Sequence, residues 1–186
     1  MFNTLSNIAE KLNGSDILWG VGASILLNQF GLIDRPNDID ILVDTKDIEK
    51  ADEILKSMGK KKVYEKTAAY STEYFYEYII NGFDVDVMSE LKINHNSGVY
   101  EYTFDYQSIT ELKKINGANI PLTSLEDWYV IYQLIPDRES KVKMIESYLL
   151  SKGAKKPILL ERALEGNLPE DVRARTLKIL KNNPKK

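Results

Sequence analysis

Two short runs alternate carboxylates with apolar residues. In RPNDIDILVD (35–44) Asp38 and Asp40 flank Ile39, and in FDVDVMS (83–89) Asp84 and Asp86 flank Val85. On an extended chain this alternation sends the acids of each run to one face, roughly 6.5 Å apart, and the apolar residues to the other. If the two runs are neighbouring strands, about 4.8 Å apart, three or four carboxylates meet in one place. Left uncompensated they would repel one another and raise their own pKa values. A divalent cation removes that conflict. With oxygen ligands only, no cysteine, and the single histidine, His95, outside the cluster in the polar stretch NHNSG, the ion expected is Mg²⁺ or Mn²⁺ rather than Zn²⁺. Two such ions roughly 3.5–4 Å apart support in-line displacement at phosphorus. Phosphates need a cradle, and WGVGAS (19–24) offers one. A glycine turn opening a helix points backbone N–H groups and a helix dipole at an anion, and Ser24 adds a hydroxyl.

These residues need elements to hold them. Phe2, Leu5, Ile8 and Leu12 recur at helical spacing and Gly14 follows them, so the chain opens on an amphipathic helix. DILWGVG then reads as a short strand, ASILLNQFG as a helix closed by Gly31, and DIDILV as a second strand. A helix is expected from Thr45 to Met58, with Asp44 or Thr45 as its N-cap. STEYFYEYIINGFDVDVMS is a hairpin about Asn81-Gly82, the dipeptide of a two-residue type I′ turn. That turn sets Ile80 against Phe83, Tyr78 against Val85 and Glu77 against Asp86. A second Asn-Gly pair at Asn116 and Gly117 marks another hairpin. From Thr123 and Ser124, both capping types, the pattern turns helical and stops at Pro136. Further helices are expected over 139–150, 157–164 and 169–180, and NNPKK should be a frayed tail. The fold class is therefore α/β (α+β). A mixed sheet flanked by helices would occupy residues 1–122, with a helical C-terminal portion, 123–186, packed on it as one compact unit.

Composition narrows the choice. A chain of 186 residues that is 43% hydrophobic and 10% aromatic suits one folded domain. Its 25 basic and 28 acidic residues leave a net charge of −3, which announces no nucleic-acid or membrane partner. The start lacks a basic and apolar leader, and no apolar run approaches the roughly 20 residues of a membrane span. A soluble cytoplasmic protein with no membrane partner is the expectation.

Taken together, GVGAS (20–24), DID (38–40) and VDV (85–87) resemble the nucleotidyltransferase superfamily with the polymerase-β-type fold, in its minimal bacterial form related to antibiotic and toxin or antitoxin nucleotidyltransferases. The likeness covers roughly residues 17 to 90, with a weaker echo in IPLTSLEDWYVIYQLIPDR. It implies that Asp38 and Asp40 bind metal, that Asp86 is the third acid, and that Gly20, Gly22 and Ser24 hold the triphosphate of an NTP. Arg138 matches in place a basic residue near the nucleotide, although a solvated helix start reads equally well. The family shows adjacent Gly-Gly or Gly-Ser, whereas here Gly20 and Gly22 are separated by Val21, so which pair fills the motif stays open. Asp84 competes with Asp86; Asp86 is preferred because valine stands on both sides of it.

The implied activity is Mg²⁺-dependent transfer of a nucleoside monophosphate from an NTP to a hydroxyl of a small molecule, protein or RNA. The alternative is a non-catalytic module of the same fold, an interaction or antitoxin-like protein. A glycosyltransferase would also use Asp-x-Asp but would lack the upstream glycine turn. Elsewhere the plainer readings hold. Lys60 to Lys62 form a solvated turn, His95 faces water, Trp128 and Tyr132 are core, and Tyr74, Tyr76 and Tyr78 share a packed hairpin face.

Overall fold

The computed structural model describes residues 1–63 and 69–183. The closing residues 184–186 of the expected tail lie outside them. In chain order the elements are α1 (Phe2–Asn13), β1 (Trp19–Val21), α2 (Ala23–Gln29), β2 (Ile39–Val43), α3 (Ile48–Met58), β3 (Lys60–Lys61), β4 (Tyr74–Ile80), β5 (Phe83–Ser89), β6 (Lys92–His95), β7 (Gly98–Glu101), β8 (Glu111–Ile115) and β9 (Ala118–Leu122). The helices α4 (Leu125–Leu134), α5 (Glu139–Lys152), α6 (Pro157–Glu165) and α7 (Glu170–Asn182) follow.

Seven strands form one mixed sheet in the order β3-β4-β5-β2-β1-β9-β8. β2 runs parallel to β5, and β1 antiparallel to β2. Val21, Ile39, Ile41, Val85 and Val87 are register partners or repeats on one face of the inner strands and are fully buried there, while the acids project from the other face. α1 lays Leu5, Ile8 and Leu12 into this core. Burying each leucine or isoleucine there is worth roughly 1.5–3 kcal/mol.

Both Asn-Gly hairpins form. Asn81 and Gly82 take φ of 51° and 80°, the two left-handed positions a type I′ turn demands. The register is the expected one, with Ile80 opposite Phe83, Tyr78 opposite Val85 and Glu77 opposite Asp86. Asn116 and Gly117 repeat the geometry between β8 and β9. Asp44 accepts from the Lys46 N–H and so caps a 3₁₀ turn, 45–47, that leads into α3. Ser124 caps α4 by accepting from the Asp127 N–H at 2.9 Å.

Three readings change. Lys60 and Lys61 are not a free turn but an edge strand paired with Ile79 and Tyr78. Lys61 reaches Asp52 at 2.7 Å and lies 3.3 Å from the centre of the Tyr76 ring, so its partners come from α3 and β4 and no local pattern announces them. The β6–β7 hairpin was not expected; only Ile93 and Tyr100 in it are buried, too few to show alternation. His95, at the end of β6, does more than face water: its Nε2 lies 3.1 Å from the Asn167 carbonyl oxygen, tying the hairpin to the segment before α7.

Candidate active site

β2 and β5 are parallel neighbours, and their register sets Asp40 directly beside Asp86. Asp38, two residues earlier, completes a group whose ligand oxygens lie within 4.8 Å of one another. Asp84, two residues before Asp86, points to solvent and pairs with Lys62 at 2.5 Å. Asp86 therefore joins the cluster and Asp84 does not.

The glycine turn is tied to the acidic strand. The Gly22 N–H donates to the Asp40 carbonyl at 3.0 Å, where β1 ends and α2 begins. A Cβ on Gly22 would stand 2.3 Å from the Trp128 indole, so the missing side chain lets α4 close onto the turn. The next residue, Ala23, has φ of +45°, a left-handed conformation that glycine adopts freely and alanine resists. Gly22 and Ala23 together make the turn from β1 into α2. Ala23 lines the cleft. Gly20 is a packing glycine inside β1, where a Cβ would meet Ile109 at 2.6 Å and Thr123 at 3.0 Å.

Ser24 is buried. Its hydroxyl donates to Asp38 Oδ1 at 3.1 Å and accepts from the Asn37 N–H at 3.2 Å. Both contacts hold the strand entrance and orient the Asp38 carboxylate toward its partners.

Opposite the acids stand two cations on the start of α5. Arg138 is the N-cap residue and Lys141 lies one turn on, and both line the cleft of about 180 Å³ that holds Asp38, Asp40 and Asp86. Lys141 Nζ approaches the Tyr132 hydroxyl at 3.4 Å and its ring centre at 4.9 Å. Lys141 was missed in the sequence, where its signal is the spacing of three from Arg138 that puts both on one helical face. Trp128 and Tyr132 are buried as expected, yet they also form the α4 wall of this cleft.

The charges strain one another. Burial raises the Asp40 pKa well above the ordinary carboxylate value, and the Asp38 and Asp86 charges raise it further. Asp86 is pushed up to about 7, by burial first and then by Glu77 and Asp38. Burial lowers the Lys141 pKa, as does the neighbouring Arg138, against the pull of Asp40 and Asp38. Three converging carboxylates, with the ionised forms of Asp40 and Asp86 disfavoured in this way and no thiolate or imidazole among them, fit a hard divalent cation.

Acidic residues on adjacent parallel strands beside a strand, turn and helix define a nucleotidyltransferase core, and comparison with known proteins agrees. The family described as "Uncharacterised nucleotidyltransferase" matches residues 35–134, more than half of the chain. The chain belongs to that family. Among curated proteins none matches the sequence. Solved structures share the fold. One is a protein from Thermotoga maritima assigned as a nucleotidyltransferase, with 24% identity and a TM-score of 0.60, covering 81% of this chain and 92% of that one. The antibiotic-resistance factor ANT(2″)-Ia is 15% identical with a TM-score of 0.58, covering 95% and 91%. The lincosamide antibiotic adenylyltransferase LnuA, solved with lincomycin bound, is 16% identical with a TM-score of 0.53, covering 78% and 96%. Among the described residues no helix is long and apolar enough to cross a membrane.

Proposed function

We propose that this protein transfers a nucleoside monophosphate from an NTP to a hydroxyl of an acceptor and releases pyrophosphate. The observation that carries the reading is the convergence of Asp38, Asp40 and Asp86 within 4.8 Å, facing Arg138 and Lys141 across one cleft. Asp38, Asp40 and Asp86 would hold Mg²⁺ or Mn²⁺, which when bound screens the phosphate charge and activates the attacking oxygen. Ser24 fixes the Asp38 carboxylate. Gly22 and Ala23 let the chain turn tightly enough for the first N–H groups of α2, which have no partner inside a helix, to face phosphate oxygens. Arg138 and Lys141 neutralise the charge that collects on the leaving pyrophosphate. Gly20 contributes by letting β1 pack closely. The acceptor oxygen bonds to the α-phosphorus while the bond to the bridging oxygen breaks and pyrophosphate takes its electron pair. The hydroxyl proton passes to Asp86 and on to water.

The test is direct. Purified protein is incubated with Mg²⁺ and each of ATP, CTP, GTP and UTP, with binding followed calorimetrically and pyrophosphate release measured in the presence of candidate acceptors. Metal-dependent affinity for at least one NTP is expected, with its loss in Asp40→Asn. An NTP affinity indifferent to metal and to Asp40, or none, would leave the fold as a non-catalytic module.

A further inference from the structure

The order of the strands sorts the cleft into two ends. Across the sheet come the Gly22 turn at the end of β1, then Asp38 and Asp40 with β2, Asp86 on β5 and Phe75 on β4. In the proposed reaction the triphosphate lies against the α2 turn, on the β1 side of the acids. An in-line attack then requires the acceptor hydroxyl to arrive from the other side, over β5 and β4.

That side carries an apolar patch. Met88 follows Asp86 by one repeat of β5, and Phe75 is its register partner on β4. The Tyr70 ring stacks near the Phe75 ring, with centroids 6.3 Å apart and an interplanar angle of 29°. Leu91 and, just after α4, Ile135 close the wall. Among the described residues that line the cleft, the carboxylates are Asp38, Asp40 and Asp86, and the cations are Arg138 and Lys141. Glu77, the register partner of Asp86, lies one repeat from Phe75 on the same face of β4 and is half-buried, so a cationic group on the acceptor meets a carboxylate there. An anionic acceptor would compete with the triphosphate for the same two cations.

We infer that the acceptor bears no negative charge where it enters and carries its reacting hydroxyl beside an apolar ring, which packs on Phe75, Met88 and Tyr70. This rests on the transfer reading for the hydroxyl, but the ring-binding wall itself is testable without nucleotide. Phenyl β-D-glucoside serves as the ring-bearing probe, methyl β-D-glucoside as its ringless counterpart and phenyl β-D-glucuronide as its anionic counterpart. Binding is followed by ligand-observed NMR, and affinity for Mg²⁺ with a non-hydrolysable ATP analogue is measured in parallel. The phenyl glucoside is expected to bind more tightly than the methyl glucoside. Phe75→Leu should weaken it roughly three- to tenfold, the worth of one ring contact, while affinity for the nucleotide analogue stays put. If Phe75→Leu disturbs the fold by circular dichroism, Tyr70→Leu is the substitute. Equal binding of the two glucosides, or the glucuronide bound most tightly, overturns the inference. Ring-dependent glucoside binding without any nucleotide binding overturns the transfer reading and leaves the wall standing.

Discussion

Ser24 shows how a hydroxyl expected on a phosphate can serve the site from behind. Its contacts to Asp38 Oδ1 and to the Asn37 N–H occupy its donor and at least one lone pair. Ser24→Ala should therefore act through Asp38. A cost of roughly 10–100-fold in metal affinity is expected, as for other residues that orient a ligand, measured as the dissociation constant for Mn²⁺ by electron paramagnetic resonance. Unchanged Mn²⁺ affinity would reduce Ser24 to packing. Ala23 offers a prediction of the opposite sign. Its φ of +45° costs an alanine roughly 1–2 kcal/mol, part of which glycine gives back in the flexibility of its unfolded chain. Ala23→Gly should raise stability by up to about 1 kcal/mol in denaturant melts, and a loss of stability would show that the methyl group's contacts outweigh the strain.

At the scale of elements, the turn and α4 are one assembly. Gly22 has nowhere to put a side chain, because Trp128 lies where its Cβ would be and the indole is itself held by an Nε1–H bond to Thr123 Oγ1 at 2.9 Å. Gly22→Ala should destabilise the protein by about 1–3 kcal/mol through overpacking. Gly20→Ala meets the flexible end of Ile109 first and should cost less, so equal losses in urea melts of the two variants would refute this account. Much of this level was legible in the sequence, since Asn-Gly turns fix φ signs and hence register, and capping residues fix helix starts. What stayed hidden depended on distant partners. Lys61 is ordered by Asp52 and Tyr76, and the β6–β7 hairpin is held through His95 and Asn167. Asp84 and Asp86 look alike in the sequence because both alternate with apolar residues; the convergence of Asp86 with Asp38 and Asp40 and the ion pair of Asp84 with Lys62 separate them.

The whole molecule couples its stability to the site. α1, α2 and α4 assemble a core around strands that carry Asp40 and Asp86 side by side, so folding itself brings together groups that repel. For both residues the pKa in the folded chain lies above that of the unfolded chain. Between the ordinary carboxylate range near 4 and about 7, to which burial and its neighbours push Asp86, the folded state therefore holds more protons than the unfolded one. The metal-free protein should lose stability from these groups as pH rises through that window. Bound Mg²⁺ reverses the contribution because it requires the ionised carboxylates, so its stabilising effect should be small near pH 5 and largest above about pH 7. Thermal melts across that range, with and without excess Mg²⁺, measure both trends. In Asp40→Asn the like-charge repulsion is reduced and a metal ligand is lost at once, so the metal-free protein should melt higher than the parent at pH 8 and gain little from Mg²⁺. A mutant that melts lower without metal would mean that Asp40 stabilises the fold through contacts unrelated to the ion, and the acidic cluster would then be a structural feature instead of a site waiting for its cation.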